Sequence, residues 1–179
     1  RYSPSNIVLS VCGNYDWDEL VDLANKTCSS WQNFEATRDT SAHSPQNITE
    51  VIYKENLQSA HLCMASLGPS AQDEARYAVY VLNCILGDYT GSKAYWALVD
   101  KGLAESASIA QDDMDGTGMI YSYASAAPDK IDEVQNILED ILSNPLDFSD
   151  DDLAQAKTKI STRLVLAGEN TRRRMMGIG

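Results

Sequence analysis

The run LAESASIAQDDMDGTGMIYSYASAA, residues 103 to 127, restricts the fold of this chain more than any other stretch. Segments 103–113 and 117–127 read as strands flanking Met114-Asp115-Gly116. Asp-Gly between two such segments is a strong hairpin signal, because the tight turn needs a backbone conformation that glycine adopts without steric cost. An antiparallel strand pair is therefore expected.

The other elements are read around that pair. NIVLSVC (6–12) is a short β-branched run, expected as a buried strand, and Gly13-Asn14 turns the chain. Asp16 with Glu19 makes a capping box, and Trp17, Leu20, Val21, Ala24, Cys28 and Trp31 follow at helical spacing. Residues 32–47 are polar and turn-forming, and His43 falls among them. ITEVIYKEN (48–56) and SAHLCMASLG (59–68) read as strands. Pro69-Ser70 opens a helix with Ala75, Ala78, Val81, Leu82, Ile85 and Leu86 on its core face, stopped by Gly87. A further helix is expected from Ser92, with Ala94, Tyr95, Leu98 and Val99 on its apolar side and Gly102 at its end. Pro128-Asp129 starts a helix carrying Ile131, Val134, Leu138 and Ile141, which Asn144-Pro145 ends. Ser149 caps the last long helix, whose first turn holds Asp150, Asp151 and Asp152 at the positive end of its dipole, and Gly168 ends or loosens it.

Paired strands with helices grouped between them predict an α+β fold: an antiparallel or mixed sheet with helices packed on one face. One domain is expected over residues 1–179, comprising a strand-helix unit (5–31), a loop (32–47) and a main body (48–179). The loop is placed within the domain, since one strand and one helix could not fold alone. A chain of 179 residues can bury a core without disulfides or metal.

Composition excludes several functions. With 14 basic against 26 acidic residues the formal net charge is −12, the wrong sign for a nucleic-acid or anionic-membrane surface. Arg172-Arg173-Arg174 is too short a cluster to reverse that. No apolar run approaches the roughly 20 residues that span a bilayer. The absence of an initiator Met reads as a mature product or an excised piece, and nothing indicates the compartment. Cys12, Cys28, Cys63 and Cys84 form no C-x-x-C pair and are expected as buried free thiols, with a Cys12–Cys28 disulfide as the lesser alternative. Asn25-Lys26-Thr27 and Asn47-Ile48-Thr49 fit the glycosylation pattern, which matters only in a eukaryotic secretory setting.

A search for chemistry returns little. His43 and His61 belong to no metal-binding spacing, and His61 reads as a hydrogen-bonded structural residue. No G-x-S-x-G and no phosphate-cradling glycine loop occurs. Asp112-Asp113-Met114-Asp115-Gly116 resembles half a calcium loop but lacks the spaced ligands and terminal Glu, so a plain turn is expected. The chain is thus expected to carry no catalytic set, no bound cofactor and no metal ligands of its own.

The order of motifs is nevertheless recognisable. SPSNIVLSVCGNYDWDELVDLANKTCSSW, QSAHLCMASLGPS, ARYAVYVLNCILGD, SKAYWALVDKGLAES and FSDDDLAQAKTKISTRLVLAGENTRRRMMGIG resemble, in sequence, the second domain of a pitrilysin-type (M16) zinc peptidase half. That family includes the mitochondrial processing peptidases. The resemblance implies a metallohydrolase-like α+β domain that follows a zinc-bearing domain with H-x-x-E-H and stops before the family's last helices and strand. It implies two halves, in one chain or two, closing around a peptide. It also implies a site in SKAYWALVDKGLAES, where the family pattern is S-R-L-F-x-x-x-R-x-x-x-G-L-A-Y. Its second Arg and its Tyr contact the scissile carbonyl region. Ser92 and Gly102-Leu103-Ala104 align, but Val99 holds the Arg position and Glu105 the Tyr position. Valine cannot donate to a developing oxyanion, and glutamate would repel it.

The resulting expectation is a non-catalytic domain of a zinc metalloendopeptidase, contributing to the peptide-enclosing chamber and to contacts between halves. An assembly subunit of the same fold, lacking both site components, is the alternative. An independent small ligand-binding domain is a third reading.

Overall fold

The computed structural model describes residues 2–37, 41 and 44–178; His43 lies outside them. The chain forms two compact bodies, one from residues up to 39 and from 161 on, the other from residues 40–160.

In the second body the hairpin forms as expected. Strands β2 (Ser106–Met114) and β3 (Thr117–Ala126) pair antiparallel, with Met114 opposite Thr117 and Asp115-Gly116 between them. Gly116 takes φ 75°, a left-handed conformation that disfavours a side chain. Gln72 locks the turn by accepting from Gly116 N at 3.0 Å and donating to Asp115 Oδ1 at 2.7 Å. The acidic segment is thus a turn tied to the preceding loop, and Asp113 faces Arg76 at 3.7 Å.

Strand β1 (Ala60–Leu67) pairs with the other side of β3, giving an antiparallel sheet in the order β1-β3-β2. Register decides what each face carries, because side chains alternate along a strand. Leu62, Met64, Ala107, Ile109, Ala124 and Ala126 face the core. Helices α2 (Ala75–Gly87) and α3 (Ile131–Ser143) cover that face, burying Leu86, Val134 and Leu138. A smaller cluster joins Cys84 and Ile85 of α2 to Ala156 of α4 (Asp150–Glu169). The α+β architecture with helices on one side of the sheet is therefore observed. Helix α4 starts as expected: Ser149 Oγ accepts from Asp152 N at 3.2 Å while Asp152 Oδ2 accepts from Ser149 N at 2.8 Å. The bond from Ser149 N, with a second from Ser149 Oγ to Asp152 Oδ2 at 2.8 Å, holds the Asp152 carboxyl below the usual aspartate range.

In the first body, Asp16 caps α1 (Trp17–Cys28), its carboxylate accepting from Asp18 N and Glu19 N. The body also holds a short 3-10 turn at Pro4–Asn6 and helix α5 (Thr171–Ile178). Gly168 does not end α4, which runs on to Glu169 before α5 follows.

Several expectations are corrected. Residues 7–12 are not a buried strand: the segment has no ladder partner among the described residues, and Val8 and Leu9 are exposed. Residues 48–56 likewise form no strand, with Ile52 and Tyr53 exposed. A β-branched run becomes a strand only when a neighbour completes its hydrogen bonds, and neither run has one. Helix α2 begins at Ala75 rather than at Pro69-Ser70, and Ala75 and Ala78 are exposed. The four cysteines form no disulfide with one another; Cys84 is buried as expected, Cys12 and Cys28 are half-buried, and Cys63 is exposed, since its strand parity places it on the sheet face opposite the helices. No described helix is long and apolar enough to cross a membrane.

Candidate functional site

The segment from Asp88 to Ser106 joins α2 to β2 and includes the positions where the family pattern departs. It opens on strained backbone. Tyr89 has φ 37°, in the left-handed region that residues other than glycine rarely occupy. Lys159 of α4 stabilises this bend: its Nζ donates to the carbonyls of Asp88 at 2.8 Å and Thr90 at 3.0 Å and pairs with Asp88 Oδ2 at 3.0 Å. Ser92 is fully buried and uses both functions of its hydroxyl, donating to Tyr89 O at 2.9 Å and accepting from Tyr95 N at 3.2 Å.

The expected helix then takes an unusual form. Tyr95–Val99 is a π-helical turn, wider than an α-helix, with Asp100 N donating to Tyr95 O at 2.9 Å. Leu98, fully buried, anchors it against the sheet. The carbonyl of Leu98 accepts from both Leu103 N at 2.9 Å and Ala104 N at 3.2 Å. Gly102, at φ 67°, makes the reversal possible, as its place at the end of the expected helix requires. The chain enters the sheet at Glu105, whose N donates to Ser125 O at 2.8 Å.

Val99 packs half-buried against the core and presents no donor. Only Asp100 and Lys101 separate it from Gly102, one residue fewer than the family pattern has. Counted back from Gly102 the arginine position is Leu98, which is equally unable to donate. Glu105 is exposed, and its carboxylate is held by hydroxyls. Ser59 Oγ lies 3.0 and 3.1 Å from its two oxygens, and Ser125 Oγ donates to Oε2 at 3.3 Å. Ser125 also meets Ser106 Oγ at 3.1 Å. The sheet face on which Ser125 stands also carries Tyr123 and His61, whose ring nitrogen Nδ1 lies 2.8 Å from the Tyr123 hydroxyl with the rings stacked.

Sequence reasoning located Val99 and Glu105 but missed Ser59, Ser125 and the π-helical turn. Ser125 was recoverable from the hairpin register, which sets it opposite Ser106; Ser59 and the wide turn had no sequence signal. His61 stands as a hydrogen-bonded strand residue. Among the described residues no three His, Cys, Asp or Glu side chains converge on a point where a metal could sit.

Comparison with known proteins gives the family of the chain. The sequence profile of the peptidase M16 inactive domain matches residues 1–160. A zinc protease of Mycobacterium leprae is 25% identical over 170 residues, covering 90% of this chain and 37% of its own length. A Helicobacter pylori protease shares the fold, with TM-score 0.72 and 16% identity over 90% of this chain and 41% of that one. The inactive peptidase domain of a Bordetella parapertussis zinc protease does so at TM-score 0.54 and 20% identity, over 72% of this chain and 70% of that one. The chain spans well under half the length of the curated relatives it matches, 37% to 44% in those from Mycobacterium leprae and Rickettsia. With its profile matched over 160 of 179 residues, the chain belongs to the peptidase M16 inactive-domain family.

Proposed function

We propose that residues 1–179 act as one non-catalytic domain of a zinc metalloendopeptidase, forming part of the wall around a peptide and part of the contact between two peptidase halves. Hydrolysis belongs to a preceding zinc-bearing domain of the parent protein. The observation that carries this reading is the segment from Ser92 to Glu105. It keeps the Ser92 and Gly102-Leu103-Ala104 framework but places Val99 and Glu105 where the family has groups that assist the scissile carbonyl. A wall that keeps its framework without its donors supports a role in enclosing substrate. Zinc, bound by the preceding domain, would supply an activated water. This chain would hold the peptide's extended backbone against the sheet face that the helices leave open.

The test uses the parent protein. Zinc content and peptide cleavage are measured on the full gene product and on the 179-residue chain. The proposal expects zinc-dependent cleavage by the former and none by the latter. A zinc-free, inactive parent would establish the assembly-subunit reading instead. Hydrolysis by the 179-residue chain that survives repurification would overturn both.

A further inference from the structure

We propose that Glu105 is a specificity-determining residue that receives a lysine or arginine side chain of the bound peptide; this rests on the wall reading above. Position 105 is a tyrosine in the family pattern, a group that donates to an anion. Here it is a carboxylate, which can only accept, so the chemistry it recognises is inverted.

Three observations carry the assignment. The first is positioning. Ser59 and Ser125 reach the carboxylate from separate segments, at 3.0 to 3.3 Å, so the group stands fixed at the margin of the sheet. A carboxylate offers about four acceptor directions, and two serine hydroxyls leave part of that capacity facing solvent. The second is the absence of an internal cation. Among the described residues no ion pair engages Glu105; Lys130, the cation at the adjoining turn, directs its Nζ at Gly102 O instead, at 3.4 Å. Lys93 is paired with Asp147 and Lys159 with Asp88. The third is the floor beside it. His61 and Tyr123 form a hydrogen-bonded, stacked pair on the same sheet face as Ser125, a flat surface along which an aliphatic stem can lie while its charged tip reaches a carboxylate. The overall charge of −12 favours the approach of a basic peptide. A metal ion is the weaker occupant, because no three ligating side chains converge among the described residues.

The experiment is direct binding to the 179-residue chain at low ionic strength. The probe is a fluorescein-labelled Thr/Val-rich decapeptide with a central lysine, compared with the same peptide carrying Nε-acetyl-lysine. Anisotropy should show the lysine peptide bound about threefold to fivefold more tightly, the range of a partly solvated ion pair. Glu105→Gln should remove that preference, and Glu105→Lys should reverse it. Equal binding of both peptides by the unsubstituted 179-residue chain would overturn the assignment of Glu105 and leave the wall reading intact. Failure of both peptides to bind would overturn the wall reading, and the assignment with it. The peptide comparison needs no variant, so a poorly folding substitution cannot obscure the result.

Discussion

Gly87 lies hard against Ile109 of β2, and replacing it with alanine tests the packing of helix α2 on the sheet directly. A Cβ there would lie 2.6 Å from Ile109 Cγ1, and nearer still to the backbone nitrogen and Cβ of Ile109. Carbon atoms in contact sit about 3.5–4.0 Å apart, so helix and strand would have to separate by roughly 1 Å. The obstacle is backbone and the root of a side chain, so no rotamer change relieves it. Ile109 is only 2% exposed and is paired with Ser122, so moving it disturbs the ladder as well as the core. Overpacking of this kind costs about 1–3 kcal/mol. The helix-propensity gain of alanine, at most about 1 kcal/mol in a helix interior, is smaller at this last helical residue. A net loss of about 2 kcal/mol follows, which lowers the melting temperature by about 4–8 °C for a chain of this size. Urea denaturation followed by circular dichroism measures it. Gly168→Ala is the control, since a Cβ there meets nothing within 4 Å. It should stabilise by about 0.5–1 kcal/mol, as alanine does in an open helical position. If Gly87→Ala came within 0.5 kcal/mol of the parent protein, the packing argument would fail.

Other substitutions probe separate features. Ser122 is buried between Met64 and Ile109 with no hydrogen-bond partner for its hydroxyl, so Ser122→Ala should stabilise by about 1 kcal/mol in the same denaturation assay. Ser149→Ala should destabilise by about 1 kcal/mol at neutral pH through loss of the helix cap. The Asp152 carboxyl is lowered first by Ser149 N, which the variant keeps, and then by Ser149 Oγ, which it loses; the hydroxyl's share is present above the ordinary aspartate value and is lost as pH falls through the lower folded-state value. Thermal melts from pH 7 down should therefore show the difference between Ser149→Ala and the parent protein shrinking below about pH 4. Cys63 is exposed and Cys84 buried, so a thiol reagent should modify Cys63 in the native protein and Cys84 only on unfolding. Mass mapping of the labelled peptides distinguishes them.

The parts of the fold that were legible in the sequence are those specified by local chemistry. The Asp115-Gly116 turn, the Asp16 and Ser149 caps and the Val134 and Leu138 face of α3 each follow from neighbours a few residues apart. What was not legible depends on partners far along the chain. NIVLSVC and ITEVIYKEN have strand composition, but a strand is a pairing, and the sequence of one segment does not contain its neighbour. Cys63 shows the same limit, since an apolar run does not say which of its alternating faces the helices will cover. At the candidate site, Val99 and Glu105 could be located from the surrounding motif. The hydroxyls on Glu105 come from Ser59 and Ser125, 46 and 20 residues away in sequence, where only the strand register brings them together.

The doubly accepting carbonyl of Leu98 has a mechanical consequence. Leu103 N and Ala104 N share that oxygen with no slack between them, so the end of the π-helical turn and the entry into β2 are joined at one atom. Leu98 is itself immobilised in the core, so this oxygen works as a pivot fixed to the sheet. A force on the backbone at Glu105 is therefore passed through that one oxygen to Leu98, a core residue.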